Sequence, residues 1–181
     1  MKNLVIAIIV LALSVPVFSA CDGSGKPADR PADGWERIEY WHIEFDVMTS
    51  WEELNSENSK RYSLGPDAGE LWVHCTSGSS FGYDEPVELA EYVQDYISSY
   101  IAYPESEGME YEQISAKETV VNELPCYELE YNYKGGEPES IYNKELFVEK
   151  DSEGMGYFVI LFRFVQADDA NIYDHVINSI H

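Results

Sequence analysis

The chain is short of basic residues. It contains 11 Lys and Arg against 34 Asp and Glu, which gives a net charge of −23 at pH 7. A protein that binds nucleic acid needs clustered Lys and Arg to displace the counterions of the phosphates, and this sequence has no such cluster. Nucleic acid is therefore not an expected partner. The ordinary interpretation of so much acid is a solvated surface, although the same charge would attract cations or a basic protein.

The sequence also lacks an apolar run long enough to span a bilayer, which takes about 20 residues. Its longest largely apolar stretch runs from Leu4 to Phe18 and follows the positive charge of Lys2. That length is typical of the apolar region of a signal peptide, about 7–15 residues, which small residues follow at the cleavage site. Here the small residues are Ser19 and Ala20, and the next residue is Cys21.

The segment Phe18-Ser19-Ala20-Cys21 resembles the lipobox of bacterial lipoproteins, in which a peptidase cuts just before a cysteine that carries a diacylglyceryl group. We therefore predict that residues 1–20 are a signal peptide and that Cys21 is the lipid-bearing N-terminus. Two acyl chains anchor a protein stably where one does not. Residues 21–34 are rich in Gly, Pro, Asp and Ala and contain no large apolar residue, so they are predicted to form a flexible tether.

This anchor would hold the remaining domain at the cell membrane on its extracytoplasmic side. Removal of residues 1–20 takes away one lysine and no acid, which brings the net charge to −24. Anionic headgroups repel such a domain, so we expect it to contact the membrane only through its lipid. Asp22 resembles the inner-membrane retention signal of some Gram-negative bacteria but would carry no such meaning in a Gram-positive cell. The sequence leaves the envelope type open.

Cysteine is scarce as well, with three in the whole chain. Lipidation of Cys21 leaves Cys75 and Cys126 as an even pair in an exported protein. A disulfide between them would close a loop of about 50 residues and stabilise the fold by about 4 kcal/mol. The alternative is that both are small buried apolar residues in strands. The sequence leaves both interpretations open.

Residues 35–181 are enough for one domain with a real core, and neither an internal repeat nor a second domain is indicated. Alternation and turn signals predict strands at residues 39–47, 60–64, 70–76, 112–122, 126–133, 141–150 and 157–165. Trp41, Ile43, Phe45 and Val47 are expected on one face of the first strand. The last strand is apolar on both faces, as in a central strand.

Two helices complete the predicted fold. Pro86–Tyr103 has an apolar stripe at helical spacing, formed by Ala90, Val93, Ile97 and Ile101. A last helix begins after Asp168 or Asp169 and turns Ile172, Val176 and Ile180 inward. Short connections favour antiparallel pairing. We therefore predict an α+β fold, with an antiparallel sheet of six or seven strands covered by two helices.

Three stretches of the sequence carry a resemblance to a known fold. They are Ile43-Glu44-Phe45 followed by Ser50-Trp51-Glu52, the stretch from Asn122 to Tyr131, and Gly156–Ile160 followed by a helix ending at Val176–Ile180. In this order they resemble the Mog1/PsbP-like fold and, within it, small bacterial lipoproteins of uncharacterised function. Characterised relatives act by binding: some support a photosystem's metal cluster and others bind a small GTPase. The resemblance implies a non-catalytic scaffold and transfers no contact residue.

The catalytic and metal-binding motifs are weak. Gly78–Gly82 has the letters of a nucleophile elbow around Ser80, but no helix follows directly, so a loop is favoured over a hydrolase site. His74 and Cys75 are adjacent in a strand and point to opposite faces, which disfavours a zinc site. Asp151–Gly154 is predicted to be a hairpin turn and not a calcium loop. The sequence therefore predicts neither an enzyme nor a cofactor.

An acidic stripe marks the first helix, because Glu88, Glu91 and Asp95 recur three and four residues apart. It is either a solvated face or a surface for Ca²⁺ or a basic partner. The same helix carries four tyrosines that are either core edges or interface anchors, namely Tyr92, Tyr96, Tyr100 and Tyr103. The favoured hypothesis is a membrane-anchored interaction module with an unidentified protein partner. The alternative is a lipoprotein that binds Ca²⁺ or a small ligand through acidic residues.

Overall fold

The computed structural model describes residues 31–41, 43–54, 56–66, 68–77, 82–101, 108–135, 140–149, 156–164 and 170–181. The elements, in chain order, are β1 (Trp35–Tyr40), β2 (Ile43–Met48), β3 (Glu52–Leu54), β4 (Ser59–Ser63), β5 (Glu70–Ser77), α1 (Leu89–Tyr96) with a π-helical turn (Ile97–Ile101), β6 (Glu110–Val121), β7 (Leu124–Lys134), β8 (Ser140–Glu149), β9 (Gly156–Phe164) and α2 (Ala170–Asn178). The predicted α+β class with antiparallel strands and two helices is confirmed.

The prediction of a single sheet is wrong, because β1 and β2 form a sheet of their own. The described strands number nine and form two sheets, a ribbon of β1 and β2 and a larger sheet in the order β3-β4-β5-β9-β8-β7-β6. All pairs are antiparallel. β9 has three strands on each side, so its predicted central position is confirmed. β5 pairs with β9 across the segment that contains α1 and β6 to β8, so local sequence signals could not reveal this pairing.

The first predicted strand is also corrected. The alternation from residue 39 to 47 predicts one strand, but the chain reverses at Trp41, whose φ is +50°. Its side chain is therefore 55% exposed instead of sharing the inner face. Ile43, Phe45 and Val47 are buried as expected. Alternation reports which face a residue occupies, and neither Gly nor Pro marks this reversal in the sequence.

The larger sheet has a core on each face. The core on the face toward α2 and the ribbon includes Phe45, Val47, Leu71, Val73, Cys126, Leu146, Val148, Tyr173 and Val176. The core on the face toward α1 includes Tyr92, Val93, Ile97, Ile101, Tyr127, Leu129, Tyr131 and Phe147. The second set contains the inward side of β7 that the sequence predicts. Among the described residues, α1 packs mainly on β7 and β8.

The first helix is shorter than predicted. α1 begins at Leu89 and not at Pro86, since Glu88 is still extended with φ −65° and ψ 141°. After Tyr96 the chain continues as a π-helical turn, a feature often found near functional sites. Val93 and Ile97 are buried as the stripe predicts. Tyr103, in the predicted last turn, lies outside the described residues.

The end of the chain is held firmly to the fold. Of the predicted inward residues, Val176 in α2 and Ile180 just beyond its end are fully buried, and Ile172 is partly buried. Beyond the helix, His181 and Glu44 of β2 exchange two backbone hydrogen bonds of 3.1 and 3.2 Å. These hydrogen bonds hold the C-terminal residue against β2, on the face of the larger sheet opposite α1.

Candidate functional site

Cys75 and Cys126, the possible disulfide pair, are both free thiols in the structure. Cys75 on β5 aligns with Phe158 on β9, which aligns with Val148 on β8, which aligns with Cys126 on β7. The two cysteines therefore lie three strand spacings apart, about 14 Å at about 4.8 Å per strand. A disulfide requires Cα atoms within about 7 Å. Cys126 is instead buried in the core on the α2 face, and the partly buried Cys75 packs against that core.

Reducing agent is therefore expected to leave the stability unchanged. Burial raises the pKa of the Cys126 thiol to about 11, so in the folded protein this thiol should resist alkylation while the partly exposed Cys75 reacts. The measurement is urea unfolding of a Cys21→Ser chain with and without dithiothreitol, together with mass spectrometry after iodoacetamide. A loss of about 4 kcal/mol on reduction would show that the two cysteines are bonded after all.

The acidic stripe lies on the solvent side of α1. Glu88, at the N-terminal boundary, and Glu91 and Asp95, within the helix, are all exposed. Asp95 accepts a hydrogen bond from the hydroxyl of Tyr83, and this bond raises the pKa of that tyrosine to about 12. The structure thus brings the three predicted acids onto one surface and adds a tyrosine that the sequence analysis did not include.

The whole segment 82–101 carries negative charge without a cation. Its acids are Asp84, Glu85, Glu88, Glu91 and Asp95, and it contains neither Lys nor Arg. We call the exposed part of this segment, together with the rings of Tyr83, Tyr96 and Tyr100, the acidic α1 surface. Because cations are absent from the segment, its negative charge is not offset locally.

The basic side chains that the structure describes are all engaged elsewhere. Each of them forms an ion pair with an acid outside α1: Arg37 with Asp46 and Glu44, Lys60 with Glu53, Arg61 with Glu70, Lys117 with Glu128, Lys134 with Glu112, and Lys144 with Glu128 and Glu130. None of these described cations neutralises the acidic α1 surface. Among the described side chains, that surface therefore presents negative charge that no cation balances.

The tyrosines of α1 divide between the two roles that the sequence left open. Tyr92 is fully buried in the core, and its hydroxyl donates to Thr76 at 2.8 Å. Tyr96 packs edge-on against Phe147, with ring centroids 5.1 Å apart. Tyr100 is 59% exposed and stacks partly on Tyr96, with centroids 5.4 Å apart. The helix is thus anchored by Tyr92 and Tyr96 and presents Tyr100 beside its acids, an arrangement that suits protein interfaces.

A second polar cluster lies between the ribbon and α2. Arg37 donates from Nε to Oδ1 of Asp46 at 2.9 Å, and Nε2 of His175 lies 3.8 Å from Oδ2 of the same carboxylate. His175 also stacks on Trp35, with ring centroids 3.7 Å apart. A polar cavity of about 300 Å³ adjoins these residues and Ser179. Sequence reasoning missed this cluster because alternation places Asp46 on the outer face, whereas Asp46 is only 4% exposed.

The residue types of a hydrolytic triad meet in this cluster, but their bonding is structural. The Ser179 hydroxyl donates to the carbonyl of Val176 at 2.6 Å and accepts from the backbone N–H of Asp46 at 2.8 Å. A nucleophilic serine needs its hydroxyl hydrogen-bonded to a base. Ser179 instead ties the end of α2 to β2, so the cluster offers no activated nucleophile.

Glu145 is a second buried acid that sequence reasoning missed. It is 1% exposed on β8 and accepts a hydrogen bond of 2.6 Å from the hydroxyl of Tyr131. Burial, together with this neighbouring carboxylate, raises the pKa of Tyr131 well above its ordinary value. Its position two residues before Phe147, on the face that α1 covers, is the signal that identifies it. This pair holds β7 and β8 together beneath the helix.

His74 is separated from Cys75 as predicted for neighbours in a strand. Cys75 belongs to the core on the α2 face, while the His74 ring lies 4.7 Å from that of Trp72 on the other face. Burial lowers the pKa of His74 from 6.5 to about 4. The imidazole is therefore neutral at physiological pH.

Acid is expected to destabilise the protein through His74. The unfolded chain takes up a proton as the pH falls through 6.5, but the folded protein does so only near pH 4. The contribution of His74 is therefore fully present above about pH 6.5 and is lost as the pH falls towards 4. Allowing for partial exposure, urea unfolding should show the stability of the parent protein relative to His74→Gln falling by about 2 kcal/mol between those pH values. An unchanged difference would contradict the lowered pKa.

Several predicted features lie outside the described residues. They are the signal peptide, Cys21 and most of the tether, Ser80 in the elbow-like loop, and the turn at Asp151–Gly154. Within the described part of the chain, no three His, Cys, Asp or Glu side chains are grouped so as to hold a metal ion. The described helices also include none long and apolar enough to cross a membrane.

The similarities to known proteins are at the level of fold. No family model matches the chain. No curated protein matches it either. The solution structure of cyanobacterial PsbP (CyanoP) from Synechocystis sp. PCC 6803 is 16% identical, with a TM-score of 0.62 over 91% of this chain and 98% of that one. A protein of unknown function, PA94 from Pseudomonas aeruginosa, is 11% identical, with a TM-score of 0.49 over 80% and 94% of the two chains. The chain therefore has a PsbP-like fold, as its similarity to CyanoP shows.

Proposed function

We propose that this protein is a lipid-anchored, extracytoplasmic interaction module that binds a basic protein through its acidic α1 surface. It works by contact and not by catalysis. Cys21 carries the anchor, the tether spans to the domain, and Glu88, Glu91 and Asp95 carry the contact. In this respect it would resemble the small envelope lipoproteins of PsbP-like fold that its sequence resembles.

The observation that carries the proposal is the unequal placement of charge. The described basic side chains are held in ion pairs elsewhere on the domain, whereas the acids of α1 have no cation among them. Charge of one sign on an exposed surface speeds association with an oppositely charged partner and selects against others. The exposed ring of Tyr100 adds an aromatic face, to which Arg and Lys side chains are attracted.

Calcium binding has weaker support. A calcium ion takes six to eight oxygen ligands, about 2.3–2.6 Å away, usually from a loop that wraps around it. The stripe lies along a helix, and no three His, Cys, Asp or Glu side chains among the described residues are grouped so as to hold a metal ion. A protein partner therefore accounts for the acidic α1 surface better than an ion does.

Two experiments test the two halves of the proposal. For the anchor, the full-length chain should sediment with membranes and a Cys21→Ser chain should stay in the supernatant; equal distribution of both would contradict lipidation.

For the contact, the mature chain should bind a short lysine-rich peptide at low salt, and binding should weaken as salt rises. The same peptide with acetylated lysines is the control. Calorimetric titration with Ca²⁺ should show no binding, and a strong Ca²⁺ signal without peptide binding would favour the ion instead.

A further inference from the structure

A groove opens at the N-terminal end of α1, where it meets the β6–β7 hairpin and the end of β8. Its volume is about 350 Å³, and three glutamates from separate parts of the chain line it, namely Glu88 just before α1, Glu118 of β6 and Glu149 of β8. Apolar side chains line it as well, namely Leu89, Val120 and Pro125. The groove shares Glu88 with the acidic α1 surface and extends that surface onto the sheet.

The acids of the groove have no cationic partner among the described residues. Lys117, the neighbour of Glu118 in β6, instead pairs with Glu128 at 2.9 Å. Glu118 points to the opposite face of the sheet, as neighbours in a strand do. Lys150, which follows Glu149, lies outside the described residues. Among the described side chains, the groove thus combines three glutamates with no ion pair to balance them, so it favours a positively charged occupant.

The apolar residues that line the groove favour a cation with an apolar part over a small metal ion. Val120 is 69% exposed, which is unusual for a β-branched residue in a strand, and it stands beside Pro125. A small metal ion would make no use of such a lining. A lysine side chain has a charged head on an apolar stem of four methylenes, and the stem packs on apolar surface while the head stays with polar groups.

We infer that this groove receives a lysine side chain of the basic partner, its stem along Val120 and Leu89 and its ammonium toward the glutamates that line the groove. The inference rests on the proposed function and gives it a specific subsite. It separates a shaped contact from a merely acidic face, because only a shaped contact responds to the length of the stem.

Stem length is therefore the variable to test, with the mature chain as receptor. One probe is a lysine-rich peptide, and the other carries 2,4-diaminobutyrate at the same positions, with equal charge but two methylenes fewer. Each buried methylene raises the affinity by a factor of about four, so the lysine peptide should bind about tenfold more tightly.

Val120→Thr keeps the branched shape of the side chain but makes the wall of the groove polar, and it should remove most of the preference for the lysine peptide. Glu118→Gln should weaken the lysine peptide about fivefold, while Glu123→Gln, an exposed change in the nearby turn, should not.

Each outcome decides between the two levels of the proposal. Equal affinity for both peptides, or an undiminished preference in Val120→Thr, would overturn the groove as a lysine subsite and leave the acidic α1 surface standing. Failure of both peptides to bind at low salt would overturn the proposed function and the subsite together. A lysine preference that depends on Val120 and Glu118 supports both.

Discussion

Reversal of the charge of the α1 stripe is expected to weaken binding of a lysine-rich peptide by about 100-fold. The variant replaces Glu88, Glu91 and Asp95 with Lys. Each exposed charge contact contributes up to about 1 kcal/mol, and three lost contacts correspond to roughly two powers of ten in Kd. Fluorescence anisotropy with labelled peptide measures the change, and circular dichroism confirms that the variant is folded, since all three side chains are exposed.

The control separates position from net charge. Glu36, Glu52 and Glu57 are also exposed but lie in β1, in β3 and just before β4, away from α1. Their replacement with Lys changes the net charge by the same amount and is expected to weaken the peptide only a few-fold, through the long-range field. If both triple variants lose affinity equally, the whole acidic surface attracts the peptide and α1 has no special part in the contact.

Replacement of Phe147 by alanine is expected to lower the free energy of unfolding by about 4 kcal/mol. Phe147 is fully buried on β8 and meets the edges of Tyr92 and Tyr96, with ring centroids 6.5 and 5.1 Å away. The loss combines the transfer of a large side chain with the cavity left behind, which together cost about 3–5 kcal/mol. Urea unfolding followed by circular dichroism measures it.

Two further variants calibrate this result. Phe147→Leu keeps most of the volume and should cost about 1–2 kcal/mol. Val120→Ala, at an exposed site, should stay within about 0.5 kcal/mol. A loss below about 1 kcal/mol in Phe147→Ala would mean that α1 does not pack on β8, and the acidic α1 surface would then lack a fixed support.

Local pattern predicted much of the fold because short-range sterics and burial decide it. The inward residues of β7 and α2 follow from periods of two and about 3.6. The reversal at Trp41 could not be predicted, because a positive φ at a tryptophan has no sequence signature comparable to that of glycine. The start of α1 at Leu89 could not be predicted either. Proline is common as the first residue of a helix, which favours a start at Pro86, and no local pattern shows that Glu88 remains extended.

The sites could be predicted only in part, because they depend on pairing between strands and not on the pattern within one strand. The separation of about 14 Å between Cys75 and Cys126 follows from the order of the strands in the sheet. That order includes the pairing of β5 with β9, which are far apart in the sequence. Asp46 and Glu145 are buried because Arg37 and Tyr131 reach them from neighbouring strands, which a single-strand pattern does not contain. The acidic stripe was predictable because its spacing is local to one helix.

Crosslinking in cells that express the lipidated full-length chain tests the central claim most directly. A photoreactive amino acid replaces Gln94, which is exposed on α1 between Glu91 and Asp95, and a second chain carries it at Glu57 as the control. We expect position 94 to capture one protein with a basic surface, position 57 not to capture it, and the capture to disappear when the stripe is changed to Lys. Capture of the same proteins from both positions, or of none from position 94, would contradict a contact made through α1.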